Sequence, residues 1–277
     1  RDGAAMVEFL AWLTKSIADG VTLTEYDAQK RLREFRAARD LFVSESFETI
    51  SAYKDHAPIV HYSASPSDSA SLAADGLYLV DSGGQYMDGT TDITRTIPLG
   101  SLRREQKVDY TLVLKAHIAL ATTVFPAGTT GHELDAIARR PLWDHMRNYG
   151  HGTGHGVGYF LNVHEGPQRI SPRPSTIALE PGMLISNEPG VYHTGDYGIR
   201  IENLVVVGPE EETSFGGFHR FETVTLCPID TRAIERSLLS PEEREWLNSY
   251  HLRVRDNLMD HLSDGARAWL SNATDPI

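Results

Sequence analysis

Four carboxylates occupy positions where carboxylates are costly. Asp81 follows the apolar run Leu77-Tyr78-Leu79-Val80. Asp92 lies in Thr90-Thr91-Asp92-Ile93-Thr94. Glu188 ends Met183-Leu184-Ile185-Ser186-Asn187, and Glu202 lies within Ile199 to Val207. Each run reads as a strand. An ionised carboxylate among buried strand residues is unfavourable unless it is paired or bound to a cation. Any one of the four, taken alone, is explained as well by a satisfied structural acid. As two strand pairs they could aim two carboxylates each into one pocket. Four carboxylates neutralise two divalent cations, and strand positions hold such a geometry better than loops do.

A histidine would complete an oxygen-rich site for a transition metal. His151 and His155 are the candidates, in the segment His151-Gly152-Thr153-Gly154-His155-Gly156-Val157-Gly158. Their spacing matches helical zinc motifs, but the intervening Gly, Thr and Gly are poor helix formers and the motif's Glu is missing. A phosphate cradle fits no better, because no Lys follows the run and no strand directly precedes it. Glycines beside a histidine would instead allow substrate backbone to approach a metal closely.

The elements that must position these residues follow from periodicity and caps. Met6, Phe9, Leu10, Leu13 and Ile17 make residues 1–17 a helix. Thr22 and Glu25 offer a capping box for a second helix to about Arg39. Residues 63–76 are a loop by composition, 77–81 a strand, 82–84 a turn and 91–97 the returning strand. Residues 102–124 are helical, and Thr130 with Glu133 opens a helix to about Tyr149. The second half repeats the strand pattern at 183–188 and 198–207, with a further strand at 221–226. Ser240-Pro241 begins a helical tail to about Leu270. The class is α+β.

Composition narrows the function. The chain has 277 residues and 30.7 kDa, enough for one large domain or two small ones. Its 26 basic and 38 acidic residues give a formal charge of -12, which argues against nucleic acid as a partner. No stretch approaches 18 apolar residues, so no membrane span is expected. The single Cys227 excludes an intrachain disulfide and a cysteine-based zinc site, and fits a reducing compartment. The chain opens inside a helix at Arg1, as part of a longer parent would.

Six motifs then carry a family resemblance: VDSGGQY (80–86), GTTDITRT (89–96), HGTGHGVG (151–158), LNVHEGP (161–167), SNEPGVY (186–192) and GIRIEN (198–203). In this order and spacing they resemble the catalytic domain of Xaa-Pro aminopeptidases (aminopeptidase P). These are pita-bread metallopeptidases, as are prolidase and methionine aminopeptidase. The segments FETVTLCPID and WLNSYH point to the long, three-domain type, whose upstream domains this chain lacks.

The resemblance implies one catalytic domain over residues 1–277, with a curved antiparallel sheet in pseudo-two-fold halves flanked by helices. It implies five metal ligands, Asp81, Asp92, His155, Glu188 and Glu202, with Asp92 and Glu202 shared by two divalent ions. Manganese is the expected ion, with zinc and cobalt as the others the donors admit. A hydroxide between the ions would attack the peptide carbonyl, with Glu188 moving its proton. His164 would bind the developing oxyanion, His61 the residue after the scissile bond, and His151 would support them. Arg200, two residues before Glu202, would orient the carboxylates. The implied activity is removal of an N-terminal residue from peptides with proline second, by a cytoplasmic homodimer. Prolidase activity on Xaa-Pro dipeptides and a non-catalytic binding module are the alternatives.

Overall fold

The computed structural model describes residues 1–277. Helix α1 (Asp2–Ala18) and helix α2 (Glu25–Ala37) pack on one another and on the strands of the first half. The second helix begins on Thr24, not Thr22. Thr24 is extended, its side chain accepts from Asp27 N, and the Asp27 carboxylate accepts from Thr24 N. Both threonines fit the capping pattern, but Glu25 is fully buried and serves elsewhere. Its carboxylate accepts from the backbone N–H of Tyr53 and Ala70 and from the Tyr62 hydroxyl. It thereby anchors the segment that carries His61.

Two antiparallel ladders position the four acids, with Asp81 inside the first and Asp92, Glu188 and Glu202 each one residue beyond a strand end. In the first, Leu77–Ser82 pairs with Ile93–Pro98 and with Ile50–Tyr53, and Asp81 stands opposite Thr94. In the second, Leu184–Asn187 pairs with Asn203–Val207, and Asn187 stands opposite Asn203. Gly216–Thr223 extends this second sheet. The expected continuous strand 198–207 is two strands, Tyr197–Arg200 and Asn203–Val207. Ile201 and Glu202 leave the ladder because their N–H groups donate to Pro189 O and Thr94 O. A third strand, Gly190–His193, follows the Pro189 break and pairs back with Tyr197–Arg200.

The halves are joined across this break. The Thr96 hydroxyl donates to Arg200 O at 2.9 Å, and Arg200 N donates back at 3.1 Å. Arg95 is almost fully buried, and it donates to the carbonyls of Glu202, Cys227 and Pro228 and to the Asn203 side chain. A buried guanidinium is tolerable only with its donors satisfied in this way.

Helix α3 (Arg104–Ala121) is buried nearly all round, with Leu112, Val113, Leu114, Ala116 and Ile118 in the largest core cluster. It packs against α4 (Gly131–Trp143) and α5 (Pro241–Leu258). A truncation to Ala of such a buried Leu costs about 2–5 kcal/mol. The Thr130–Glu133 box opens α4 as expected, but the helix stops at Trp143, short of Tyr149. The Arg139 guanidinium takes the carbonyls of Tyr149 and His151, which draws residues 144–151 into an irregular return. The C-terminal helix is also two, α5 and α6 (Asp264–Ala273), the second capped by Ser263.

Candidate metal centre

The ladders converge on a cleft of about 400 Å³. Every candidate site residue named above lines it: Asp81, Asp92, His155, Glu188 and Glu202, with His61, His151, His164 and Arg200. Asp92, His155 and Glu202 present ligand atoms that all lie within 4.8 Å of one another. His155 Nε2 is 3.4 Å from both Asp92 Oδ2 and Glu188 Oε1. Asp81 enters from the first ladder, fixed by Arg200 Nη2 at 2.6 Å from its Oδ2.

Local structure sets each donor. His155 Nδ1 lies 2.9 Å from Gly156 O. A carbonyl only accepts, so Nδ1 carries a proton and Nε2 is the nitrogen turned toward the carboxylates. Ser186 Oγ donates to Glu188 Oε1 at 3.0 Å and accepts from His155 N at 3.0 Å, so one hydroxyl sets the spacing of two donors. The glycines of 151–158 lie along the chain's own backbone. A Cβ on Gly154 would run into the carbonyl oxygen of Ser186, and one on Gly156 into that of Glu165. Close approach is expected toward substrate; the observed approach is to the chain's own backbone, at Gly154 to the strand that leads into Glu188.

The electrostatics are those of a site short of positive charge. Burial, with Asp81 and Glu188 close by, pushes the Asp92 carboxyl well above its ordinary range. Burial and the charges of Asp92, Glu188 and Asp81 do the same to Glu202. Glu188 is raised by burial, with His155 and Arg200 opposing. Asp81 Oδ1 is buried without a partner. Clustered carboxylates with raised affinity for protons, an orphan carboxylate oxygen and an imidazole with Nε2 turned toward them are the donor set a hard or borderline divalent cation needs.

The other residues differ in availability. His164 is exposed, with its ring 4.2 Å from that of His155, and desolvation together with the neighbouring His155 lowers its pKa. His151 has both nitrogens engaged, Nδ1 with Gly152 O at 2.7 Å and Nε2 with the Tyr192 hydroxyl at 2.8 Å. It therefore buttresses the site rather than offering a free nitrogen. Tyr192 is the residue that reading the acids and histidines passed over. Its hydroxyl also accepts from Arg200 Nη1 at 2.8 Å, linking His151 to the Arg200–Asp81 pair. It stands in SNEPGVY, but nothing in its spacing marks it for this task.

The model of metallopeptidase family M24 matches residues 1–209, and that of the C-terminal region of these peptidases matches 217–277. The chain is 48% identical over 284 residues to a probable Xaa-Pro aminopeptidase P of Coprinopsis cinerea and 44% identical over 303 residues to aminopeptidase P1 of Lotus japonicus. In each case all of this chain matches 46% of the relative, so the chain spans about half the length of the curated relatives it matches. Among solved structures, X-prolyl aminopeptidase from Caenorhabditis elegans, described as a cytosolic enzyme with a di-nuclear active site, superposes with a TM-score of 0.96 at 42% identity. It is covered over 46% of its length by the whole of this chain. The Xaa-Pro dipeptidase of Bacillus anthracis superposes with a TM-score of 0.67 at 31% identity, over 83% of this chain and 60% of its own. The α+β architecture of two antiparallel ladders flanked by helices is thus the pita-bread fold, and the chain belongs to metallopeptidase family M24.

Proposed function

We propose that residues 1–277 form a single catalytic domain that hydrolyses the first peptide bond of peptides with proline second, using two divalent metal ions. The carrying observation is the convergence of four carboxylates and the Nε2 of His155 on one cleft. Asp81, Asp92, His155, Glu188 and Glu202 would hold the ions, with Asp92, His155 and Glu202 forming the tightest cluster of donor atoms. Bound there, the ions would acidify a water and polarise the peptide carbonyl.

The chain's own residues supply the rest. Glu188, turned into the cleft and steadied by Ser186, takes a proton and returns it to the leaving amine. His164, beside His155 and lining the cleft, donates to the carbonyl oxygen as charge develops. His61, also in the cleft lining, contacts the residue after the scissile bond. Arg200 holds Asp81 in place, and Tyr192 with His151 holds Arg200.

Oxygen donors with one imidazole suit manganese, with zinc and cobalt as competitors that availability decides. The proline preference rests on likeness to Xaa-Pro aminopeptidases. The 44% and 48% identities over the whole chain to aminopeptidases P, with the TM-score of 0.96 to an X-prolyl aminopeptidase, favour the aminopeptidase reading over prolidase. A complete ligand set argues against a binding module without catalysis. We further propose a cytoplasmic homodimer, the compartment resting on likeness to the Caenorhabditis elegans enzyme described as cytosolic.

The test is elemental analysis joined to an Xaa-Pro assay. Two metal ions per chain with faster cleavage of an Xaa-Pro tripeptide than of the dipeptide is expected. Cleavage of the dipeptide alone supports prolidase, and a metal-free, inert protein supports the binding module.

A further inference from the structure

The two glutamates proposed as ligands, Glu188 and Glu202, leave the second ladder at the same end. Asn187 precedes the first, Asn203 follows the second, and the two asparagines face each other in register. Successive side chains on a strand point to opposite faces. The glutamates line the cleft, while both asparagines turn back toward α3. There they meet His117, which is fully buried.

His117 Nδ1 is 3.1 Å from Asn187 O, so Nδ1 carries the proton and donates to it. Nε2 is then the acceptor for the Asn203 amide Nδ2 at 3.2 Å. The backbone oxygen of His117 also accepts from Asn187 Nδ2 at 2.9 Å. Asn203 Oδ1 is held from its other side by Arg95 Nη2 at 2.8 Å. The imidazole therefore spans the chain neighbours of both glutamates, with its donor on one and its acceptor on the other. Trp246 packs against its ring edge-on, at 5.9 Å and 66°, which leaves little rotational freedom.

We propose that His117 is a positioning residue for the metal centre: through Asn187 and Asn203 it sets the separation of Glu188 and Glu202 from behind the sheet. This rests on the assignment of those glutamates as cation ligands. Burial, with the Arg95 charge nearby, pushes the imidazole pKa down to about 3, so it stays in the neutral one-donor, one-acceptor form that the geometry needs. A hydrocarbon in its place would leave the Asn187 carbonyl and the Asn203 amide without these partners, free to relax apart. Groups that orient ligands in this indirect way typically change metal affinity or activity by roughly 10–100-fold when removed.

The experiment compares Mn²⁺ binding by titration calorimetry, with melting temperatures of metal-free and Mn²⁺-loaded protein, in wild type, His117→Leu, His117→Gln and His117→Asn. His117→Leu should weaken Mn²⁺ binding about 10–100-fold and shrink the rise in Tm on loading. His117→Gln, which keeps one donor and one acceptor, should recover most of both. His117→Asn, too short to reach both partners, should fall between. Equal losses of Tm with and without metal, at wild-type Mn²⁺ affinity, would mean that His117 only fills space and would overturn the proposal. If His117→Leu does not fold, wild-type affinity in folded His117→Asn overturns it equally. A wild type that binds no Mn²⁺ removes the ligand assignment as well, an outcome distinct from variants that bind as the wild type does.

Discussion

The Thr94 hydroxyl donates to Glu202 Oε2 at 2.7 Å, tying a strand of the first half to a carboxylate of the second. Arg200 Nε donates to the same hydroxyl at 3.2 Å, and Thr94 stands opposite Asp81 in the first ladder. One small side chain thus touches the partners of three groups around the proposed centre. Glu202→Ala should abolish activity and strip metal, because the cluster with Asp92 and His155 would lose one of its donors. Thr94→Val should be milder, lowering metal affinity by roughly 10–100-fold without emptying the site. Metal content measured beside turnover checks both; full metal with normal turnover in the Glu202 variant contradicts its assignment.

His164→Ala should keep its metal and lose rate. The ring touches the His155 ring but sits nearer solvent, where a substrate carbonyl would arrive. Loss of one oxyanion donor costs about 2.7–4 kcal/mol, or roughly 10²–10³ in kcat. Loss of metal from this variant would make His164 a ligand instead.

Gly154→Ala should cost metal binding before it costs the fold. The added methyl would drive the Gly154–His155 segment off the carbonyl of Ser186 and pull His155 away from Asp92 and Glu188. Reduced Mn²⁺ affinity at a nearly unchanged circular dichroism spectrum is expected. Wild-type affinity would show that the segment relaxes without moving His155.

Acid should destabilise the chain through its buried neutral histidines. His251 is buried, accepts from Ile229 N at 3.1 Å, and is pushed by burial from 6.5 down to about 4. His151 and His117 are pushed down likewise, to about 4 and about 3. The folded pKa lies below the unfolded one, so the folded state holds fewer protons across this window. Stability from these groups is present above about pH 6.5 and falls as pH drops toward 4. Each such histidine adds a slope of about 1.4 kcal/mol per pH unit. His251→Asn, remote from the cleft, should lower the slope by about that amount in chemical denaturation at several pH values. An unchanged slope would mean that His251 titrates alike in both states.

Much of the local structure was legible in the chain because it depends on neighbours in sequence. The Thr130–Glu133 and Ser240–Glu243 caps, the periodicity of α1 and α3, and the strands that carry Asp81 and lead into Glu188 all arise within a few residues. The candidate donors were legible for a different reason: a carboxylate in an apolar strand is anomalous and demands a partner. Three-dimensional packing decided what no short window contains. Thr24 rather than Thr22 caps α2 because Glu25 is claimed by Tyr53, Tyr62 and Ala70. The strand breaks at Ile201-Glu202 because Pro189 and Thr94, distant in sequence, supply the acceptors. Tyr192 and His117 gained their roles in the same way, since a buried hydroxyl or imidazole acquires meaning only from the groups that folding brings within hydrogen-bond reach.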